Sequence, residues 1–305
     1  MMRAAGLAQL RGLAPLVTVI IPTTAQASRS AQIRRCVDSI RASSARRTLI
    51  IVVINGGSPD PAVCTWLAAH ADIACVFDPL PSAPHAVWQG RKLVRTAFFS
   101  TIDDDDEYLP CATDQKLAVL CAHPQADLVV TNALRLCDGL EALVYRHMAP
   151  AERQPLTDLF RANWLNSGNA LYRSSSVPVH YFEDYRPYAE WTWLAFKLGM
   201  DGKVVATLEQ PTFRVHVTAG SLSQSSAYFE HYLLLYQHML AAGPPPAVVR
   251  LIRRRLSASQ HDHSVRALGK GRWREALRWH WRSLLHPGGL QYLTYTRRLL
   301  LPRTP

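Results

Sequence analysis

The stretch FFSTIDDDDEYLP, residues 98–110, joins an apolar run directly to four aspartates and a glutamate. The apolar half predicts a buried strand, so the acidic half falls at the carboxyl end of that strand. Adjacent carboxylates repel each other and raise each other's pKa unless a cation or solvent relieves them. One interpretation is a solvated acidic turn, the usual environment of a run of charges. The other is a divalent-metal site, because Mg²⁺ and Mn²⁺ prefer carboxylate oxygens and leave positions open for phosphates.

The composition narrows the class of protein. The chain has 305 residues, of which 48% are hydrophobic and 19% charged, so it can bury a full core and wholesale disorder is excluded. Its formal net charge of +11 favours anionic partners: nucleic acids, phosphorylated substrates or acidic membrane surfaces. The sequence contains no recognisable nucleic-acid-binding module, so a nucleic acid partner is not expected.

Strand and helix patterns alternate through the first half of the chain. Apolar, β-branched runs predict strands at residues 16–22, 48–57, 73–77, 97–102 and 126–135. This alternation predicts an α/β fold, with a mostly parallel sheet flanked by helices. Ligands of such sheets bind beyond the carboxyl ends of the strands. Three polar clusters follow strands and are expected at that edge: 22–24, 55–58 and 103–106.

The N-terminal segment has two interpretations. Ala25-Gln26-Ala27 imitates a signal peptidase site after an apolar stretch, whereas the short β-branched run from Val17 to Ile21 favours a buried first strand. No run of eighteen apolar residues occurs, so no membrane-spanning helix is expected. The six cysteines are scattered without metal-ligand spacing and are interpreted as buried apolar residues in a reducing compartment. The strand interpretation places the protein in the cytoplasm, or peripherally at the inner face of the cytoplasmic membrane.

The motifs together resemble those of the family-two glycosyltransferases, which have the GT-A (Rossmann-like) fold. The resemblance covers about residues 17–223. It rests on VTVIIPTT (17–24), VVINGGSPD (52–60), the acidic D-x-D signature in TIDDDDEYLP (101–110), SGNALYRSS (167–175), YFEDYRPYAEWTW (181–193) and FRVHVTAGSLS (213–223). We therefore expect a GT-A domain over residues 1–223 and a basic helical C-terminal region over 224–305.

The resemblance also implies a set of site residues. Nucleotide-sugar binding is assigned to Pro22, Thr23, Asn55, Asp103, Asp104 and Arg214, and metal binding to Asp105 and His216. Glu190 is the candidate catalytic base, with Asp184 as the alternative.

Each assignment has a plainer alternative. For Asp104 and Glu107 this is solvation, which is the preferred interpretation of their charge. For Glu190 it is a favourable charge in the first turn of a helix, and for Arg214 and His216 a surface pair on one face of a strand.

The sequence departs from the family pattern at three places. Trp191 stands where the family has the aspartate that supplies its base, and Asn55 stands where an aspartate is commoner. The segment HAVWQG, residues 85–90, lacks the usual arginine–asparagine pair. These departures put catalysis in doubt but leave the fold expectation intact.

The implied function is an inverting, metal-dependent transfer of a sugar from a nucleoside-diphosphate donor to a hydroxyl acceptor. The resemblance implies Mn²⁺ or Mg²⁺ as cofactor, a saccharide or lipid-linked acceptor, and a role in cell-surface glycan synthesis. A catalytically degenerate protein that binds nucleotide-sugar or partners is the alternative, because of Trp191. A nucleotidyltransferase is disfavoured, since no glycine-rich, lysine-containing phosphate loop is found.

The C-terminal region is rich in arginine and tryptophan. In GRWREALRWHWRSLL, residues 271–285, Trp273, Leu277, Trp281 and Leu284 recur at helical spacing among arginines. This pattern fits a helix lying on an anionic membrane. It fits equally a helical appendage that packs its apolar side chains and leaves its arginines in water.

Overall fold

The computed structural model describes residues 16–45, 48–216 and 226–300, and side chains from residue 230 onward in the last range. The described chain forms two compact units. The first comprises the residues up to Tyr185 and Glu190–Ala219, and the second comprises Arg186–Ala189 and the chain from Gly220 onward. The predicted domain boundary at 223/224 lies outside the described residues.

A nine-stranded sheet forms the centre of the first unit. Its strands are β1 (Val17–Thr23), β2 (Thr48–Asn55), β3 (Ile73–Asp78), β4 (Phe98–Thr101), β5 (Glu107–Tyr108), β6 (Leu128–Cys137), β7 (Leu140–Leu143), β8 (Ala170–Arg173) and β9 (Val205–His216). They lie in the order β3-β2-β1-β4-β8-β6-β9-β5, with β7 paired to β6. Strands β1 to β4 are parallel, and β6 and β9 run in the same direction because antiparallel β8 separates β6 from β4. The predicted mostly parallel sheet is confirmed.

Helices flank this sheet. They are α1 (Ser30–Ala42), α2 (Pro61–Ala68), α3 (Ala83–Leu93), α4 (Ala112–Ala122), α5 (Ala149–Arg153), α6 (Pro155–Asp158), α7 (His180–Glu183) and α8 (Glu190–Met200). Every residue of β1 and β2 is buried, as expected for strands covered on both faces. The strand interpretation of Val17–Ile21 is therefore correct.

The position of α3 is set by the residues at its two ends. The helix begins at Ala83 because the Ser82 hydroxyl accepts a hydrogen bond from the backbone N–H of His85, with Pro84 in the first turn. It ends at Leu93, since Val94 is extended. The N-terminus of α3 lies close to a polar strand end, because His85 in its first turn contacts Asp78 at the end of β3.

The second unit is helical. Its helices are α9 (Ser226–Ala241), α10 (Pro246–Gly269), α11 (Trp273–Leu284) and α12 (Thr296–Leu300), with a 3-10 segment at Gly289–Tyr295. Among the described residues, no helix is long and apolar enough to cross a membrane. The cysteines were only partly predicted, because Cys111, Cys121 and Cys137 are exposed.

The parallel pairing of β1 with both β2 and β4 fixes where the polar clusters meet. Thr23 ends β1, Asn55 ends β2, and Asp103 follows β4. Because the three strands are adjacent and parallel, these residues share the carboxyl edge of the sheet. The predicted common edge is confirmed.

Gly90 of α3 tests the packing of this helix on the sheet. A Cβ at Gly90 would lie 2.5 Å from Ile20 Cγ2 and 3.2 Å from Val53 Cγ2. We expect Gly90→Ala to lower the free energy of unfolding by about 1–3 kcal/mol through overpacking. Denaturant unfolding measures the change.

The matched control is Gly57→Ala. Its Cβ would meet nothing within 4 Å, so its free energy of unfolding should stay within about 0.5 kcal/mol of that of the parent. Equal stability of the two variants would contradict the close approach.

Candidate functional site

The acidic turn after β4 is tied to the N-terminus of α1. Asp104 is only 4% exposed, and its carboxylate accepts hydrogen bonds from Arg29 Nε at 2.8 Å and from the Thr23 hydroxyl at 2.5 Å. Arg29 Nη2 also contacts Asp104 and lies 3.3 Å from Asp105 Oδ2. Hydrogen bonding to Asp104 raises the pKa of Arg29, so the guanidinium stays charged. The preferred expectation that Asp104 is solvated is wrong, since Arg29 compensates its charge inside the protein.

Glu107 is the centre of a second group of charges. Its carboxylate contacts Arg214 Nη1, and it lies 3.3 Å from His216 Nε2 and 3.7 Å from Arg35 Nε. Burial alone would raise the pKa of Glu107, but hydrogen bonds from Arg214 and His216 outweigh it and lower that pKa. Solvation was therefore also the wrong interpretation of Glu107.

Arg214 and His216, the two predicted site residues of β9, both make contacts with carboxylates in this region. Arg214 Nε also donates to Glu141 Oε1 at 2.5 Å, so two carboxylates already occupy its guanidinium. The backbone N–H of His216 donates to Asp106 Oδ1 at 3.0 Å. The roles assigned to Arg214 on the diphosphate and to His216 on a metal stay predictions.

Burial and neighbouring like charges raise the pKa of two carboxyl groups of the turn. Burial, and then the charge of Asp105, raises the pKa of Asp103 to about 7, while the Ser167 hydroxyl opposes the shift. Burial, and then the charges of Asp103 and Asp105, raises the pKa of Asp106 well above its ordinary value. A bound cation would relieve this repulsion, so the donor set fits a divalent metal. Among the described residues, however, no cluster of three or more His, Cys, Asp and Glu side chains forms a protein-only metal site.

An open pocket of about 420 Å³ adjoins Asp103. Pro22, Asp184 and Glu190 line it with Asp103, so four of the predicted site residues meet here. The remaining lining residues are mostly apolar or aromatic: Ala83, Pro84, Val87, Tyr181, Phe182, Tyr185, Trp191 and Leu194. A concave, apolar surface with a few convergent carboxylates is typical of a small-molecule site.

Glu190 is the first residue of α8 and faces the pocket. Its Oε2 atom is buried and has no hydrogen-bond partner among the described residues. Burial raises the pKa of Glu190, and its charge in turn raises that of Asp103. A raised pKa brings a carboxylate closer to the range in which it can exchange a proton at neutral pH.

Asp184, the alternative base, has a different environment. It is exposed, and its Oδ2 accepts a hydrogen bond from Trp193 Nε1 at 2.9 Å. Its backbone carbonyl accepts one from Lys197 Nζ at 2.6 Å. Both contacts hold the chain before α8 against that helix. Asp184 is therefore hydrogen-bonded to α8, whereas Glu190 Oε2 has no hydrogen-bond partner among the described residues.

The strand ends at β2 and β3 form the other side of the edge. Asn55 is buried, and its Oδ1 atom has no hydrogen-bond partner among the described residues. Asp78 is opposite Asn55 in the sheet register, and its Oδ2 lies 2.5 Å from His85 Nδ1 at the start of α3. Asp78 Oδ1 also accepts from the backbone N–H of Leu80 at 3.1 Å. The predicted Asn55 is therefore accompanied by an Asp–His pair that the sequence motifs did not reveal.

Sequence reasoning missed Arg29, Arg35, Asp78 and His85. Arg29 directly precedes α1 and Arg35 lies within it, 75 and 70 residues before the carboxylate and the carbonyl that they contact. The acidic run did give one signal for the arginines, because several carboxylates that become buried require nearby cations. Which of the many arginines supplies them depends on the packing of α1 against the turn.

The Arg29–Asp104 pair can be tested by stability. Arg29→Met leaves a buried carboxylate without its main partner and should lower the free energy of unfolding by about 1–3 kcal/mol. Asp104→Asn in the same chain should recover part of the loss, because the unpaired charge is then gone. Denaturant unfolding of the single and double variants measures both effects.

Arg161→Met is the matched control. The Arg161 side chain is 77% exposed and lies 3.8 Å from Asp158, so solvent screens the interaction and its loss should cost about 1 kcal/mol or less. If Arg29→Met is as stable as Arg161→Met, the buried pair does not organise the turn.

Comparison with known proteins identifies the fold. No protein-family model and no curated protein matches the sequence. Residues 1–349 of S. aureus TarS, in complex with UDP-GlcNAc, match with a TM-score of 0.63 and 14% identity over 88% of this chain and 81% of that one. The mannosyltransferase PcManGT from Pyrobaculum calidifontis, in complex with GDP-Man and Mn²⁺, matches with a TM-score of 0.55 and 16% identity over 98% and 87%. The chain has the GT-A fold of the nucleotide-diphospho-sugar transferases.

Proposed function

We propose that the protein is a glycosyltransferase that moves a sugar from a nucleoside-diphosphate donor to a hydroxyl acceptor with inversion at the anomeric carbon. One observation carries this proposal. Glu190, whose buried Oε2 has no hydrogen-bond partner in the described part of the chain, lines the same pocket as Asp103 at the carboxyl edge of the sheet. A base and a charged strand end on one cavity are what transfer from a diphosphate leaving group requires.

The neighbouring structures support the donor class. TarS was solved with UDP-GlcNAc and PcManGT with GDP-Man and Mn²⁺. Both ligands are nucleoside-diphosphate sugars, although their bases and sugars differ. We therefore propose this donor class for the present chain and leave base and sugar to a screen of donors.

The nucleotide would bind along the strand ends of β1, β2 and β3. Asn55 Oδ1 offers a buried acceptor, and His85, oriented by Asp78, offers a ring nitrogen and an aromatic face beside it. The Thr23 hydroxyl is engaged by Asp104, so Thr23 acts mainly by fixing the turn next to the pocket. In this arrangement Asp103 lies between the nucleotide side and the pocket.

Asp103 and Asp105 are the carboxylates that would hold a Mn²⁺ or Mg²⁺ ion. Divalent ions of this kind are commonly held by one or two carboxylates, with substrate phosphates and water completing the shell. When bound, the ion would neutralise the negative charge that develops on the departing diphosphate. The pKa of Asp103, which is raised by burial and then by the charge of Asp105, is the property of the chain that supports this proposal.

Glu190 would act on the acceptor. Its carboxylate takes the proton from the acceptor hydroxyl as that oxygen forms a bond to the anomeric carbon, and the bond from that carbon to the diphosphate oxygen breaks. Trp191 occupies the position where the family pattern has an aspartate, so the preceding residue takes the role of base. Glu190 can do so because burial raises its pKa.

The aromatic lining suggests the acceptor. Tyr181, Phe182, Tyr185 and Trp191 line the same pocket as Asp103 and Glu190, and aromatic faces combine a large apolar area with few rotatable bonds. Sugar rings have apolar faces that stack on such surfaces. We propose a saccharide acceptor, free or lipid-linked, as in the synthesis of cell-surface glycans.

A second candidate is a protein that binds nucleotide-sugar without turnover. Trp191 is the observation that favours it, because a bulky side chain replaces the expected carboxylate. The two candidates share donor binding and differ only in transfer, so a transfer assay separates them.

Glu190→Gln tests the base. We expect this variant to bind the donor as the parent does but to transfer sugar at least about a hundredfold more slowly, the usual scale for a lost general base. Glu183→Gln is the matched control, since Glu183 is exposed and does not line the pocket. If Asp184→Asn, and not Glu190→Gln, abolishes transfer, then Asp184 is the base. If the parent binds donor but transfers to no acceptor, the binding-only candidate is correct.

The pH profile gives an independent measure of the same group. A base works only when deprotonated, so transfer should rise with pH through the pKa of Glu190. Because burial raises that pKa, the rise should lie above the ordinary range for a glutamate and should vanish from the residual rate of Glu190→Gln. A rise centred on an ordinary glutamate pKa in the parent would contradict the assignment.

Asp105→Ala tests the metal. The variant should lose Mn²⁺-dependent binding of a nucleoside diphosphate but keep its fold, because Arg29 retains its main partner Asp104. Calorimetric titration with a panel of nucleoside diphosphates, with Mn²⁺ and with chelator, measures this. The control is Asp38→Ala, an exposed aspartate of α1. Unchanged Mn²⁺-dependent affinity in Asp105→Ala would overturn the metal assignment.

A further inference from the structure

The second unit holds most of the excess positive charge of the chain. Residues 226–300 contain twelve lysines and arginines against three aspartates and glutamates, a net +9 of the chain's +11. Eleven of these twelve basic residues are exposed. This charge belongs to a part of the chain that contains none of the candidate site residues.

Helix α11 turns its small and polar side chains inward. Ala276, His280 and Ser283 are fully buried. Two serines of α10 donate hydrogen bonds to backbone carbonyls on this buried face. Ser264 Oγ donates to the Ala276 carbonyl and Ser257 Oγ to the Ser283 carbonyl, each at 2.7 Å. The helix is therefore held by close packing of small residues and by hydrogen bonds.

The outer face of α11 carries large apolar side chains and arginines. Trp281 is 52% exposed, and Leu285, directly after the helix, is 82% exposed. Arg274, Arg278 and Arg282 share this face, because they are spaced one turn apart and are all exposed. On α11, therefore, the buried positions hold small or polar residues, while Trp281 lies exposed beside the arginines.

The 3-10 segment Gly289–Tyr295, which contacts α11, also carries exposed apolar side chains. Leu290 is 72% exposed, and Leu293 is also exposed. We call Trp281, Leu285, Leu290 and Leu293, together with the three arginines of α11, the basic–apolar face. Exposing this much aliphatic and aromatic surface to water is unfavourable unless another phase or molecule covers it.

We propose that the basic–apolar face binds the surface of a membrane that contains anionic lipids. The arginines would lie at the lipid phosphates, and Trp281 and the leucines would enter the boundary between headgroups and acyl chains. The charge is complementary to anionic lipid, and the apolar side chains are of the kind that this boundary accepts. This contact would hold the protein at a surface without a spanning helix.

The aliphatic residues distinguish a membrane from a nucleic acid. A nucleic acid would engage the arginines and stack on tryptophan, but it offers no apolar phase to cover Leu285 or Leu290. A lipid surface covers all of them. Binding that depends on both the leucines and the arginines is therefore the property that the membrane proposal requires.

Vesicle co-sedimentation of the full chain tests the proposal. We expect binding to phosphatidylcholine vesicles with about one-third phosphatidylglycerol at low salt, weaker binding at high salt, and little binding to pure phosphatidylcholine. The triple variant Arg274→Gln, Arg278→Gln, Arg282→Gln should bind about a hundredfold more weakly, at about fivefold for each charge removed. Trp281→Ser, Leu285→Ser, Leu290→Ser should weaken binding at least about tenfold, because buried apolar area also drives insertion.

A matched control separates this face from general surface hydrophobicity. Leu140→Ser, Leu143→Ser removes two exposed leucines of β7 in the first unit and should leave vesicle binding unchanged. Duplex DNA serves as the competing polyanion, and thermal unfolding verifies that each variant is folded. The proposal is overturned if the parent fails to bind anionic vesicles at low salt, or if the apolar variant binds them as tightly as the parent does. It is also overturned if DNA binds tightly while the apolar variant leaves vesicle binding unaffected.

Discussion

Several carboxylates follow the buried strand β4, and the structure around the candidate site depends on how their charge is compensated. Asp104 is held by Arg29 and Thr23, and Glu107 by Arg214 and His216. These contacts join the start of α1, the end of β1 and the end of β9 to one turn. Because a buried carboxylate without a cation is strongly unfavourable, the turn keeps its conformation only while these elements stay together.

The negative charge of the acidic turn is only partly compensated by basic side chains, and this affects the pKa of the other carboxyl groups. Asp106 is buried and Asp103 half-buried, and burial together with neighbouring like charges raises the pKa of both. Glu190, which contributes to the repulsion at Asp103, has its own pKa raised by burial. Raised pKa values of this kind concentrate at functional sites, where a metal, a proton or a substrate cation relieves them. Within one short acidic run, Asp104 and Glu107 are thus paired with basic side chains, whereas Asp103 lines the pocket.

In the C-terminal region, the amphipathic sequence pattern did not determine which face of α11 is buried. The stripe of Trp273, Leu277, Trp281 and Leu284 predicts either a packed face or a membrane face. In the structure Trp273 and Trp281 are largely exposed, whereas Leu277 and Leu284 are partly covered. The inward face consists instead of Ala276 and its small or polar neighbours, because close helix packing and serine-to-carbonyl hydrogen bonds hold α11 on α10. The sequence period indicated a helix, but packing decided which face was buried.

The sequence by itself determined the parallel strands, the edge at which the polar residues gather and the position of the acidic signature, because each depends on the pattern of a few consecutive residues. It also directed attention to Asp103 and Glu190. Only the tertiary structure decided that Asp104 is buried with Arg29, that Asp78 orients His85, and which carboxylates remain without a cation. The physical reason is that charge compensation acts between side chains brought together by packing, across up to about a hundred residues of chain, and local patterns carry no record of it.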